Sequence, residues 1–303
     1  MRAIVLRETG GPEQLQLADV PDPEPRDGEV VVRVRAAGIN FLDVLVRRGE
    51  YAQQPELPVI PGTEVAGEVG GRRVIALPNA GYAEHVVARE DSLVPLPEGA
   101  SFEEGASFLM TYLTAFIPLT RQVPVRDGMT VLVHAAAGGV GSAAVQLAKH
   151  IGARVLATAS SEEKRAFALE QGADEAYSYQ DFAEAARADV VIDPVGGDLV
   201  AQSLKVLEPL GSHVLIGYAG GFWKEMSPAL LVGRNVSMHG FYLGRLMRHR
   251  PELVQEAIRE LMELWAGGAV RPVVGATFPL EQAADAHRLI EERKSVGKVV
   301  LVP

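Results

Sequence analysis

Alternation of apolar and polar positions organises the first part of the chain. Val30, Val32 and Val34 interleave with Val31, Arg33 and Arg35, a period of two that predicts a strand with one buried face. Short apolar runs at 3–6, 64–69, 73–77 and 82–88, separated by Gly and Pro, read as further strands. One short helix is predicted over 41–48, with Asn40 at its cap position. From residue 130 the pattern changes. Apolar runs at 130–134, 154–158, 175–178, 189–192, 212–216 and 235–239 alternate with helical periodicity, as at 143–151 and 162–171. That alternation implies parallel strands joined by crossover helices, and six strands is the number in a doubly wound dinucleotide-binding sheet. Residues 252–265 form an amphipathic helix, followed by an apolar run at 270–277, a helix at 280–291 and a strand at 298–302. The tail has too little core of its own. It is expected to return to the β-rich first domain, which would then comprise 1–117 and 267–303 around a Rossmann domain at 118–266.

Composition narrows the chemistry. With 303 residues the chain can bury a core without staples, and with no Cys it has no thiolate nucleophile, Cys-ligated zinc or disulfide. A net charge of −10 without a basic stripe argues against nucleic acid as a partner. Thr130 to Ala148 carries no Asp, Glu, Lys or Arg, but its central glycines and β-branched start fit a buried strand, turn and helix better than a membrane span. The amino terminus has no apolar run of the signal-peptide kind. A soluble, cytoplasmic protein with no membrane contact is expected.

The segment VLVHAAAGGVGSAAVQLAK joins a strand to a helix. Ala136, Gly138 and Gly141 fit G-x-G-x-x-G with Ala in the first position. The pattern supplies a tight turn, close backbone approach to a pyrophosphate and unpaired N–H groups at the helix start. At the end of the second strand an NAD site would carry an acid on the ribose. Here the chain reads Thr158, Ala159, Ser160, with Lys164 a turn later and Tyr179 ending the next strand. Ser160, Lys164 and Tyr179 suit a 2′-phosphate, so NADP(H) is favoured. The competing interpretation makes Ser160 and Glu163 a capping box and Lys164 a solvated helix residue.

None of the seven Tyr has Lys four residues on, and the seven His show no H-E-x-x-H and no cluster. Removal of a hydroxyl proton by a Tyr–Lys pair or a metal is thereby disfavoured, and no metal site is assigned.

GINFLDVLVRRGEY, PGTEVAGEV, HAAAGGVGSAAVQLAK and the terminal GKVVLVP together resemble the zinc-free medium-chain dehydrogenase/reductases, most closely the zeta-crystallin-like NADPH:quinone oxidoreductases. The resemblance runs nearly the length of the chain. It implies an α/β protein with a GroES-like β-rich catalytic domain, a six-stranded doubly wound Rossmann domain and a cleft between them. Zinc-dependent relatives carry Cys where Asn40 falls and His where Thr63 falls. Without a Lewis acid the acceptor must already be electrophilic, which a quinone or similar enone is, and positioning is the main protein contribution.

Carried over by position, the resemblance places Asn40 and Asp43 at the floor of the substrate cleft, Tyr51 at its side and Thr114 near the nicotinamide. Gly138, Gly139, Val140 and Gly141 would hold the pyrophosphate, with Ser160, Lys164 and Tyr179 at the adenosine end. Gly217 and Phe241 would line the nicotinamide channel, and Arg293 would reach the cofactor from the tail. Plainer roles stand beside these: Asn40 as a helix cap, Asp43 as a partner of Arg47 one turn on, Phe241 as core. Leu45 stands where some relatives have Tyr, and EVGGRRVIALPNAGYAEHV is shorter than the family's usual hairpin. A homodimer is implied, joined through the edge strand at 235–239, since an apolar edge needs cover. The alternatives are an enoyl-thioester or alkenal reductase of the same fold, and a non-catalytic NADPH-binding protein.

Overall fold

The computed structural model describes residues 1–303 as two compact units, Met1–Met110 with Pro272–Pro303, and Thr111–Arg271. The fold is α/β, with a GroES-like β domain and a six-stranded parallel Rossmann sheet.

In the first unit the long strand Glu29–Ile39 is the organising element. It pairs antiparallel with Val65–Val69, His85–Arg89 and Lys298–Val302. Val32 and Val34 point into the core while Arg33 and Arg35 are exposed, the one-sided burial that period-two sequences produce. Beyond Val34 the side alternation stops, and Ala36 to Ile39 are all buried. Gly38 lies there because a Cβ would stand 1.8 Å from the carbonyl oxygen of Ala106. The shortened hairpin closes through Gly70 and Gly71, both at positive φ, between the paired residues Val69 and Arg72. Two left-handed residues give the turn whose twist matches the flanking strands.

In the second unit the strands lie in the order Glu175–Tyr177, Arg154–Thr158, Thr130–Val133, Ala188–Asp193, Leu207–Leu215, Ser237–Gly240, all parallel. The chain order reverses between Thr130–Val133 and Ala188–Asp193, which is where open parallel sheets of this type bind ligands. Val131, Leu132 and Val133 are fully buried, since helices cover both faces of a parallel sheet and its strands read as unbroken apolar runs.

Several bounds differ from the sequence expectation. The run at 270–277 is a strand only over Val274–Pro279, and 280–291 splits into a 3-10 turn, Leu280–Gln282, and a helix, Ala283–Glu291. The edge strand starts at Ser237, because Asn235 takes a left-handed conformation and ends the helix Ala229–Arg234. No helix is long and apolar enough to cross a membrane.

Candidate active site

In the first unit, chemistry gathers where the strand Glu29–Ile39 meets the helix Phe41–Arg48. Asn40 sits at the helix cap in an extended conformation, and the Asp43 carboxylate reaches back to accept its backbone N–H at 2.8 Å. That carboxylate is almost fully buried and also accepts from the Tyr82 hydroxyl at 3.0 Å. Burial pushes the Asp43 carboxyl up to about 6, against the two hydrogen bonds and the positive charge of Lys298.

Tyr82 has one proton, and Asp43 takes it. The His287 Nε2 that lies 3.2 Å from the Tyr82 oxygen is therefore the donor in that contact. His287 is a neutral Nε2–H tautomer, its Nδ1 buried without a partner and its pKa lowered to about 3, chiefly by burial and further by the charge of Arg47.

The spacing of Asp43 and Arg47 suggested an ion pair, but the structure corrects this. The Arg47 guanidinium turns to the Gly10 carbonyl and the Glu291 carboxylate. Arg47 is buried, so it needs a partner it can reach without leaving the core.

The side chain of Asn40 makes two contacts beyond its helix. Its Oδ1 accepts from Lys298 Nζ at 2.6 Å, and its Nδ2 donates to Thr63 Oγ1 at 3.4 Å. Lys298 is in turn paired at 2.8 Å with Glu64, whose other oxygen accepts the Met110 backbone N–H at 2.9 Å. Lys298 and Glu64 are both buried. Asn40 and Thr63 are thus neighbours in a hydrogen-bonded group centred on an ammonium. No group of three or more His, Cys, Asp or Glu is placed to hold a metal ion. Tyr51 follows two residues after Gly49, the left-handed residue that ends the helix, and is half-buried.

In the second unit the turn after Thr130–Val133 is built around Ala135, whose φ is +49° and whose carbonyl accepts the Gly138 N–H at 2.8 Å. The helix Gly139–Ile151 then begins without a side-chain cap, so its first N–H groups, those of Gly139, Val140 and Gly141, are available to a ligand. Gly141 admits no side chain: a Cβ would stand 2.1 Å from the Ala135 oxygen. This cradle fits a dinucleotide pyrophosphate.

The residues expected at the adenosine end are brought to the same end of the sheet. Ser160 is exposed just beyond Arg154–Thr158, whose last residue pairs with Tyr177. The Tyr179 hydroxyl accepts the Ala135 N–H at 3.2 Å, which ties it to the glycine turn itself. The capping box at Ser160 and Glu163 is not formed. Ser161 is the cap, its hydroxyl accepting the Lys164 N–H at 3.2 Å, so Ser160 is left outside the helix. Lys164 is half-buried, and burial lowers its pKa while Glu163 opposes the shift.

Gly217 follows Leu207–Leu215 at the same sheet end, and Phe241, buried, follows the edge strand with its N–H on the Leu215 carbonyl at 2.9 Å. Thr114 lies half-buried on the helix Leu109–Ile117, also in the second unit. Arg293 belongs to the first unit, exposed at a φ of +56° after the helix Ala283–Glu291.

Sequence reasoning missed Lys298, Glu64, Tyr82 and His287. A Lys heading a strand and a His inside an amphipathic helix give no local signal of burial; their partners lie up to 258 residues away.

The zinc-binding dehydrogenase family matches residues 171–301, and the alcohol dehydrogenase GroES-like domain matches residues 26–98. A quinone oxidoreductase of Mus musculus is 34% identical over 328 residues, covering 100% of this chain and 98% of the mouse protein. The synaptic vesicle membrane protein VAT-1 homolog of Homo sapiens is 34% identical over 342 residues, covering 100% and 86%. Among solved structures, the quinone oxidoreductase of Thermus thermophilus, determined alone and with NADPH, superposes with a TM-score of 0.94 at 44% identity, with full coverage of both chains.

Proposed function

The chain belongs to the quinone oxidoreductase/VAT-1 family of medium-chain dehydrogenase/reductases, and from that premise we propose that it is an NADPH-dependent reductase of quinones or similar electrophilic enones, working without a metal. The observation that carries this reading is the glycine turn, where Gly141 lies against the Ala135 carbonyl and the helix start is uncapped. Structural relatives crystallised with NADPH support it.

The N–H groups of Gly139, Val140 and Gly141 and the backbone of Gly138 hold the pyrophosphate, with the helix dipole favouring its charge. Ser160 and Lys164 take the 2′-phosphate, while Tyr179 holds the turn in shape. Gly217 and Phe241 flank the nicotinamide with Thr114. Bound there, NADPH supplies a hydride with its electron pair. Asn40 and Tyr51 orient the acceptor, and Asp43 fixes the helix that carries Asn40. Asn40 and Thr63 replace the Cys and His of zinc-dependent relatives, and an acceptor that is already electrophilic makes a Lewis acid unnecessary.

A homodimer through the edge strand Ser237–Gly240 completes the reading. Beside that edge, Leu210 is 87% and Val232 77% exposed, apolar surface that a partner copy would cover.

The test follows oxidation of NADPH and of NADH, side by side, with saturating 1,4-benzoquinone on metal-stripped protein. Loss of NADPH at least tenfold faster than NADH is expected. NADPH that binds but is not consumed would overturn quinone reduction and direct attention to conjugated enones or a binding role.

A further inference from the structure

The orientation of the Asn40 carboxamide is set by a residue that the reading above leaves without a role. We propose that Lys298 is a positioning residue: its ammonium, clamped by Glu64, turns the Asn40 carboxamide so that Nδ2–H is offered to the acceptor's carbonyl oxygen. This deepens the proposed reductase function and rests on it.

An ammonium has three donors and no acceptor. The Asn40 atom 2.6 Å from Lys298 Nζ is therefore the oxygen, and the reversed amide would set donor against donor inside a buried site. Lys298 cannot swing away to relieve that conflict. It is the first residue of the strand Lys298–Val302, locked to the long strand through Val299 opposite Ile39, and its charge is paired with Glu64. Glu64 is fixed as well, one oxygen on Lys298 and the other on the Met110 N–H. Of the two Nδ2 hydrogens, one is directed to Thr63 Oγ1 and the second remains for a ligand. Asn40 is half-buried, so this N–H can be reached while its anchor cannot.

The chemistry gives that donor a purpose. When reduced nicotinamide donates a hydride to a conjugated carbonyl, a C–H bond forms, the C=C pair shifts, and the C=O π pair ends on oxygen. The acceptor gains two electrons, the nicotinamide loses two, and the oxyanion then takes a proton from water. A preorganised N–H aimed at that oxygen helps most as the charge develops. The ammonium on Oδ1 polarises the amide and makes its N–H a stronger donor. The cation thus acts through an amide, and the group that touches the acceptor remains neutral.

Lys298→Met alone strands the Glu64 carboxylate and tests folding as much as chemistry. The decisive variant is Lys298→Met/Glu64→Gln, which removes both charges and keeps an oxygen for the Met110 N–H. With NADPH and 1,4-benzoquinone its kcat is expected to fall at least tenfold. The quinone KM should stay within threefold, and the NADPH Kd, read by cofactor fluorescence, within twofold. Lys298→Arg, which keeps a donor to Oδ1 and a charge for Glu64, should recover at least a third of wild-type kcat. Adding the double replacement to Asn40→Ala should cost nothing beyond Asn40→Ala itself, because Lys298 acts only through Asn40.

If wild type and the double variant agree in kcat within threefold, or the losses multiply in the triple variant, the proposal fails while the reductase reading stands. A wild type inert towards quinones and enones overturns both. Should the double variant not fold, Asn40→Asp decides: it keeps the acceptor for Lys298 but has no N–H, and wild-type kcat in it would overturn the proposal.

Discussion

Replacing Asp43 by Asn removes one titration from the core of the first unit and changes how stability depends on pH. In the folded chain the Asp43 carboxyl sits at about 6, mainly through burial, against an ordinary value of 3.8. Between those values the folded state holds a proton that the unfolded state releases. The stabilisation from this proton is complete below the ordinary value and is lost as pH rises through about 6. A shift of about two units corresponds to about 3 kcal/mol in total, and linkage places about 1.4 kcal/mol of that loss between pH 5 and 7.5. Asp43→Asn keeps an oxygen to accept the Asn40 N–H and the Tyr82 hydroxyl, so its stability lacks this slope. Both tryptophans, Trp223 and Trp265, lie in the second unit, so their fluorescence does not follow the first. Pulsed hydrogen exchange in a urea series, read on peptides from the helix Phe41–Arg48, reports the right transition. The wild type should lose about 1.4 kcal/mol relative to Asp43→Asn on going from pH 5 to 7.5. A difference that stays constant over that range would refute the argument.

Three further outcomes follow from the second unit. Gly141→Ala drives a Cβ onto the Ala135 carbonyl and should weaken NADPH binding at least tenfold by fluorescence titration; Gly233→Ala, whose Cβ meets nothing within 4 Å, should leave it unchanged. Lys164→Ala should lower the preference for NADPH over NADH by about tenfold or more, a charged hydrogen bond contributing about 1.5–3 kcal/mol; equal losses with both cofactors would remove Lys164 from the 2′-phosphate. Val232→Asp should convert a dimer to monomers in light scattering, and an unchanged mass would dismiss the proposed edge-strand interface.

The parts of the fold that were legible share a physical cause. Strands buried on both faces, such as Thr130–Val133, must be apolar throughout, and the helix Phe41–Arg48 announced itself by its Asn cap. Local spacing misled where a distant partner was better placed. Asp43 and Arg47 are one turn apart, yet Arg47 pairs with Glu291, 244 residues on. Ser160 has the capping-box Glu three residues on and Ser161 has Lys164 there, yet the backbone makes Ser161 the cap. The helix Leu109–Ile117 escaped notice because it is apolar nearly all round, which removes the amphipathic period that would mark it. The Lys298–Asn40 contact depends on the carboxy-terminal strand returning to the middle of the first sheet, and no window of sequence contains both.

The Gly70–Gly71 reversal also makes the protein a host for foreign sequence. Its ends are held in register by Val69 and Arg72, and neither glycine has a neighbour within 4 Å of where a side chain would begin. A guest peptide spliced between them starts and finishes in open solvent, and each doubling of its length adds only about 0.6 kcal/mol of closure entropy. An epitope or a fluorogenic tag introduced there should be displayed with the melting temperature nearly unchanged. This two-residue connection between paired strands is in that sense an extensible point of the chain.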